Sequence, residues 1–229
     1  MAEKYGTIPP KFTKKWWNYF WEYYKIHTIV VLVIIVAVAS TIYSKVNEPK
    51  YDLTICYAGA SIFDEQTEEN IRKEASKITP DVNENGESLC DFYQMSFSIE
   101  DKSGDVMMDE EYTRAMHTKM QLSLAGDEIY IYILDKSHLE FYATEKMDHC
   151  PFAPLKNWLE KDYKFSRYSV EGEDIAISLE GNQFLKKNGI DSTDKYLVMR
   201  YYPRKDQKKQ LEGYKAAVKL ANEILTFGE

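Results

Sequence analysis

The sequence offers little of what enzymes are usually assembled from. It holds four histidines in 229 residues, one of them beside the apolar run described below, which leaves little for acid–base work. There is no G-x-S-x-G, no H-E-x-x-H, no P-loop, and no G-x-G-x-x-G after a strand. Carboxylates are plentiful, but no pair is singled out by the sequence, so no catalytic residue and no enzymatic activity are assigned. Cysteine is scarce as well. Cys56, Cys90 and Cys150 form no C-x-x-C pair and match no zinc spacing. They are read either as one disulfide plus a free thiol or as small buried hydrophobes. His138-x-Glu140 lacks the P-C-x-x-C that a zinc deaminase needs, and His149-Cys150 are adjacent and badly placed to act on each other. Low-complexity tracts and internal repeats are absent.

Net positive charge is confined to the start of the chain. Residues 1–45 carry six lysines against Glu3 and Glu22, about +4, which leaves −12 to the remainder of a chain whose total is −8. An acidic domain of that kind has no electrostatic footprint for nucleic acid. It is also repelled by an anionic membrane surface.

One long stretch lacks charge altogether. No charged residue lies between Lys25 and Lys45, and 29–39 is wholly apolar. That is about the ~20 residues a helix needs to cross a bilayer core. Ahead of it come Trp16, Trp17, Tyr19, Phe20, Trp21, Tyr23 and Tyr24, interleaved with Lys11, Lys14, Lys15 and Lys25. Trp and Tyr favour the headgroup layer, and lysines on this side predict a cytoplasmic N-terminus. The expected organisation is a leader over 1–25, a transmembrane helix over 26–44, a linker over 45–50 and one extracytoplasmic α/β domain over 51–229. Trp16, Trp17, Trp21, Tyr23, Tyr24, Lys25 and Lys45 are the expected anchor and interface residues, and the bilayer is the first expected partner. Ala37-Val38-Ala39 has the form of a signal-peptidase site, a rival to retention.

Beyond the anchor, strand and helix patterns alternate. Strands are expected at 51–59, 89–99, 128–135 and 196–203, and a hairpin or strand over 165–170 and 174–179. Helices are expected at 67–78, 106–125, 137–144 (capped by Ser137) and 205–227, with one helical turn at 155–159. The alternation predicts a mixed, mostly parallel sheet with helices on its faces. Asp81-x-Asn83-x-Asn85-Gly86-Glu87 opens like a calcium loop, with oxygens at alternate positions and Gly at the sixth. The twelfth position, which must supply a bidentate acid, is Phe92. Asp81, Asn83, Asn85 and Glu87 are therefore the candidate Ca2+ ligands, with a hydrophilic turn as the other reading; no other cofactor is expected.

The segment LSLAGDEIYIYILDKSHLEFYATEKMDHCPFAPLKNWL (122–159) resembles the extracellular solute-binding proteins that serve ABC importers, of the type 2 periplasmic-binding-protein kind. It presents a helix, a Gly126-Asp127 turn, a strand ending in Asp135, a further helix and a Pro-Leu segment. YLVMRYYPRKDQKKQLEGYKAAVKLANEIL (196–225) resembles their return strand and helix, and 51–78 their opening β–α unit. Only about 40 residues separate Leu155 from Lys195, too few for a second lobe. The resemblance therefore implies a one-lobe, membrane-anchored relative. It implies ligand binding at Asp135 and Lys136, where the strand's carboxyl end would face a cleft. The expected role is binding or scaffolding beside a membrane or envelope protein; a cell-envelope enzyme or enzyme regulator, and a sensory input domain, stand as alternatives.

Overall fold

The computed structural model describes residues 9–99, 110–126, 128–145, 149–201 and 208–228. The chain divides into two compact units, residues 1–49 and 50–229.

The first unit is carried by one continuous helix, α1 (Lys14–Val46). Thr13 caps it, accepting a hydrogen bond from Trp16 N at 3.2 Å. Every residue from Ile29 to Val46 is exposed. Among the described residues this is the one helix long and apolar enough to cross a membrane.

The second unit is α/β. Its elements in order are β1 (Leu53–Gly59), α2 (Glu65–Ile78), β2 (Cys90–Ser96), α3 (Glu110–Ala125), β3 (Ile131–Asp135) and α4 (Lys136–Glu140). A π-turn (Phe141–Glu145) and a 3-10 turn (Leu155–Asn157) follow. Then come β4 (Arg167–Val170), β5 (Glu173–Ser178), α5 (Gln183–Lys187), β6 (Lys195–Met199) and α6 (Lys208–Leu225). One six-stranded sheet runs β2-β1-β3-β6-β5-β4.

Residue alternation sends the strands' side chains to two cores. Leu53, Ile55, Tyr57, Ile131, Ile133, Leu197 and Met199 meet α2 and α6 through Ile71, Ala75, Ala217, Leu220 and Ile224. Cys56, Ala58, Tyr132, Leu134 and Val198 meet α3 and α4 through Met120, Leu124 and Leu139. The central strands are thus covered on both faces, as their continuous apolar runs require. Cys56, Cys90 and Cys150 are all unpaired, the first two as fully buried small side chains.

The sheet is mixed but not mostly parallel. Among the described residues only β1–β2 and β1–β3 are parallel pairs; β3–β6, β6–β5 and β5–β4 are antiparallel. The cause lies in the connections. A parallel return needs a crossover of roughly a dozen residues or more, usually built on a full helix. Here β4 and β5 are joined by Glu171-Gly172 alone, with φ of 52° and 84°, the left-handed pair of a tight hairpin turn. The β5–β6 link folds into only the short α5 at the sheet's end.

Element ends shift for local reasons. The helix expected at 67–78 starts two residues earlier because Asp64 caps it, its carboxylate accepting from Thr67 N at 2.8 Å. Ser137 does not cap α4. Asp135 holds that position without a side-chain cap bond, and Ser137 lies inside the helix. The start of the helix expected at 106–125, the turn expected at 101–105 and residue 127 of the Gly-Asp turn lie outside the described residues. So do residues 203–207, where the last strand and helix were expected to meet.

Asn222 ties α6 to the segment after the 3-10 turn. Its Oδ1 accepts from Glu160 N and Tyr163 Oη, both at 3.0 Å, and its Nδ2 donates to the Trp158 and Val218 carbonyls at 2.9 and 2.8 Å. It is buried. Asn222→Ala strands these partners and is expected to cost about 3 kcal/mol. Urea unfolding of residues 50–229 tests this; a loss under about 1 kcal/mol would show that the four bonds are not holding the segment.

Candidate functional site

Asp135 and Lys136 lie at the carboxyl end of β3, beside the carboxyl end of β1. From here the chain leaves β1 toward β2 on one side, and leaves β3 toward the β4–β6 half on the other. This divergence is the topological switch point where open α/β sheets form ligand crevices.

Asp135 does not face outward. Its Oδ2 accepts from Ala60 N at 2.8 Å, and Tyr57 Oη donates to both carboxylate oxygens at 3.0 and 3.1 Å. Lys195, its cross-strand partner on β6, donates Nζ to Oδ1 at 2.8 Å. Lys195 is only 4% exposed. Its ammonium also reaches Ser61 Oγ at 3.4 Å and lies 5.2 Å from the centre of the Tyr57 ring. Tyr57 Oη in turn accepts from Ser61 N at 3.1 Å. Burial, and then the neighbouring Asp135 charge, push the Tyr57 phenol above its ordinary range, so it stays a donor to the carboxylate. Buried charges persist when paired and hydrogen-bonded, and this network meets both conditions.

Two backbone features admit the network. A Cβ on Gly59 would collide with Tyr57 Oη and the Asp135 carboxylate, so only glycine fits there. Asp194 adopts φ +54°, and its carbonyl accepts from Lys136 N at 2.9 Å, which joins the start of β6 to the start of α4. Aspartate is among the few residues that tolerate this conformation.

Above the network is an open depression of about 550 Å³ that Ser61, Lys136, Glu140, Asp191, Asp194 and Lys195 help to line. Asp191 accepts from Thr193 N and Oγ1 at 3.0 and 2.8 Å, which holds its carboxyl below the usual range. A larger depression of about 850 Å³ runs along β4 and β5 past Cys150, whose thiol burial pushes up. The smaller one is the better candidate, because the paired charges of Asp135 and the buried Lys195 converge there at strand ends.

Of the two residues expected here, Asp135 proves to be a clamp inside the site and Lys136 an exposed member of its rim. Tyr57, Gly59, Ser61 and Lys195 were not singled out from sequence. The one available signal was an opposite-charge pair at matching ends of two neighbouring strands, readable only once β6 is known to run antiparallel to β3.

The other candidates fall elsewhere. The oxygens of 81–87 serve the turn itself: Asp81 accepts from Gly86 N, Asn83 from Asn85 N and Asn85 from Glu87 N, at 2.9, 3.1 and 2.8 Å. Glu87 is exposed, and Phe92 at the twelfth position is buried in the core. Among the described residues no group of three or more His, Cys, Asp or Glu is arranged to hold a metal ion. Asp52, unmarked in the sequence, fixes this loop by accepting from Val82 N, Asn83 N and Leu89 N at 2.8, 2.9 and 2.9 Å. His138 is fully buried, with Nε2 2.9 Å from the Phe97 carbonyl. That carbonyl can only accept, so Nε2 carries the proton. Burial pulls the His138 pKa down to about 4, partly offset by Asp135 and the Phe97 carbonyl.

Two outcomes are expected. Lys195→Met leaves Asp135 without its cation and should cost about 3 kcal/mol in urea unfolding, and Asp135→Asn a similar amount. The double variant should cost clearly less than the two combined, whereas simple additivity would mean that the pair is not coupled. The second concerns pH. The unfolded chain protonates His138 near 6.5 and the folded chain only near 4. Its contribution is therefore complete above pH 6.5 and lost as pH falls toward 4, by up to roughly 3 kcal/mol. His138→Gln should flatten the urea midpoint across that window, and an unchanged slope would reject the assignment. The chain matches no protein-family model, no curated protein and no solved structure.

Proposed function

We propose that this chain is a single-pass membrane protein whose residues 50–229 form an extracytoplasmic binding or scaffolding domain, an accessory to a transport or cell-envelope assembly. Support for the anchor comes from the exposed apolar length of α1 and from its aromatic, lysine-bearing N-terminal turns. Support for binding rests on one observation above all. The Asp135–Lys195–Tyr57 network makes the switch point rigid beneath an open, charged depression. A site meant to recognise a partner benefits from such pre-organisation, because little ordering is left to be done on binding. In this reading Ser61, Lys136 and Glu140 meet the ligand or partner, and Asp135 holds their loops. A one-lobe solute-binding relative would use this same end of the sheet.

Two measurements test the reading. Protease added to intact cells should remove residues 50–229 and spare the α1 N-terminal turns; protection of 50–229 would reverse the topology. Photo-crosslinkers placed in the full chain at Ile62 and Lys136, on the depression side, should capture a common transport or envelope protein. A crosslinker at Glu84, at the other end of β1, should not. Equal capture from all three positions, or from none, would remove the depression from the proposal.

A further inference from the structure

Residues 11–25 form a one-sided surface that spanning alone does not require. At about 100° per residue, Tyr19, Tyr23, Trp16, Phe20, Tyr24, Trp17 and Trp21 sweep about 200° of the α1 circumference. Asn18, Glu22 and Lys25 fall on the opposite side. Lys14 borders the aromatic arc next to Trp21, and Lys15 borders it next to Tyr19. The arc is internally organised. Trp16 stacks on Phe20 at 5.4 Å and 22°, and Phe20 on Tyr24 at 5.6 Å and 20°. Phe12, just before the cap, continues the row against Trp16 at 5.6 Å. Trp17 and Trp21 are more than half exposed.

We propose that this segment is a binding face for anionic phospholipid headgroups, an inference that rests on the membrane reading above. Three observations choose lipid as the occupant. Lys11, Lys14, Lys15 and Lys25 against Glu22 give the segment a net charge of about +3, complementary to anionic headgroups. Lysines at both borders of the arc can lay their stems along its edge while the ammonium groups reach phosphate. A simple interfacial belt would distribute its rings evenly, whereas a one-sided arc suits a helix that tilts and lowers one flank of its protruding turns onto the headgroups. Because α1 is continuous through Lys25, the aromatic side sets the direction of that tilt.

The experiment uses the full chain in phosphatidylcholine vesicles doped with an equal small fraction of chain-brominated lipid, either phosphatidylcholine or phosphatidylglycerol. Trp16, Trp17 and Trp21 report quenching, and Trp158, 2% exposed in the second unit's core, supplies a constant background. Brominated phosphatidylglycerol should quench about twofold more than brominated phosphatidylcholine at low salt. The ratio should fall to one in high salt, and in the variant carrying Lys11→Gln, Lys14→Gln, Lys15→Gln and Lys25→Gln. Equal quenching by the two lipids in the unaltered chain overturns the proposal. So does a preference that survives the four substitutions, or crosslinking of the aromatic faces of two copies that shields them from both quenchers. Alkaline carbonate extraction separates the two levels. A chain that stays in the pellet but shows no lipid preference has lost only this inference, and a chain released to the supernatant has lost its anchor.

Discussion

The ion pair between Asp135 and Lys195 holds the seam of this domain. On one side lie the parallel strands β2, β1 and β3; on the other lie the antiparallel strands β6, β5 and β4. The two residues face each other in the single ladder that joins the halves. A slip of one residue there would turn Lys195 to the opposite face of the sheet, away from its acid and into an apolar core. The charges therefore fix register as well as contributing energy. Tyr57 and the Ala60 amide extend the same arrangement to β1, so three strands share one polar centre. Buried charge of this kind is weak evidence for added stability, and setting register is its better attested use.

The rest of the second unit follows from covering that sheet. Ile71 and Ala75 of α2 and the Ala217–Leu225 side of α6 close one face. Met120, Leu124, Leu139 and Tyr142 close the other. Met95, Met120 and Met199 are buried in these two cores. His138 is absorbed into the second core as a neutral donor, so its chemistry serves folding. The Asp52 carboxylate does comparable work at the opposite end of β1, where it accepts from the Val82, Asn83 and Leu89 amides.

Much of this was legible in the residues. The Leu53–Ile55–Tyr57 alternation, the Ile129–Leu134 run and the Ile71–Ala75–Ile78 spacing each specify an element whose period the chain must satisfy. The Lys25–Lys45 gap specifies the apolar helix. Strand direction was not legible, because a two-residue period reads the same both ways. Connection length decides it at one place only, where the two residues between β4 and β5 are too few for a crossover. Asp135 is legible as the last residue of a strand, but which way its carboxylate turns depends on Gly59 having no Cβ, on Tyr57 below it and on Lys195 sixty residues later. None of those three is unusual in its own local sequence. The Asn–Gly turn at 85–86 is readable as chemistry, yet Asp52, which fixes the loop around it, lies 30 to 37 residues before the amides it binds.

The order of the strands bears on how the domain comes to exist. Synthesis delivers β1, β2 and β3 first. Until Lys195–Met199 has been made, the Ile131–Leu134 edge of β3 has no strand to pair with, and Asp135 has no counter-charge. The β4–β5 hairpin closes over a two-residue turn, whereas the seam joins residues 60 and 78 apart in sequence. An unpaired apolar edge is a template for wrong pairing. A charged residue at its tip and another at the start of its late-arriving partner select the right strand at the moment when the wrong one would do most harm.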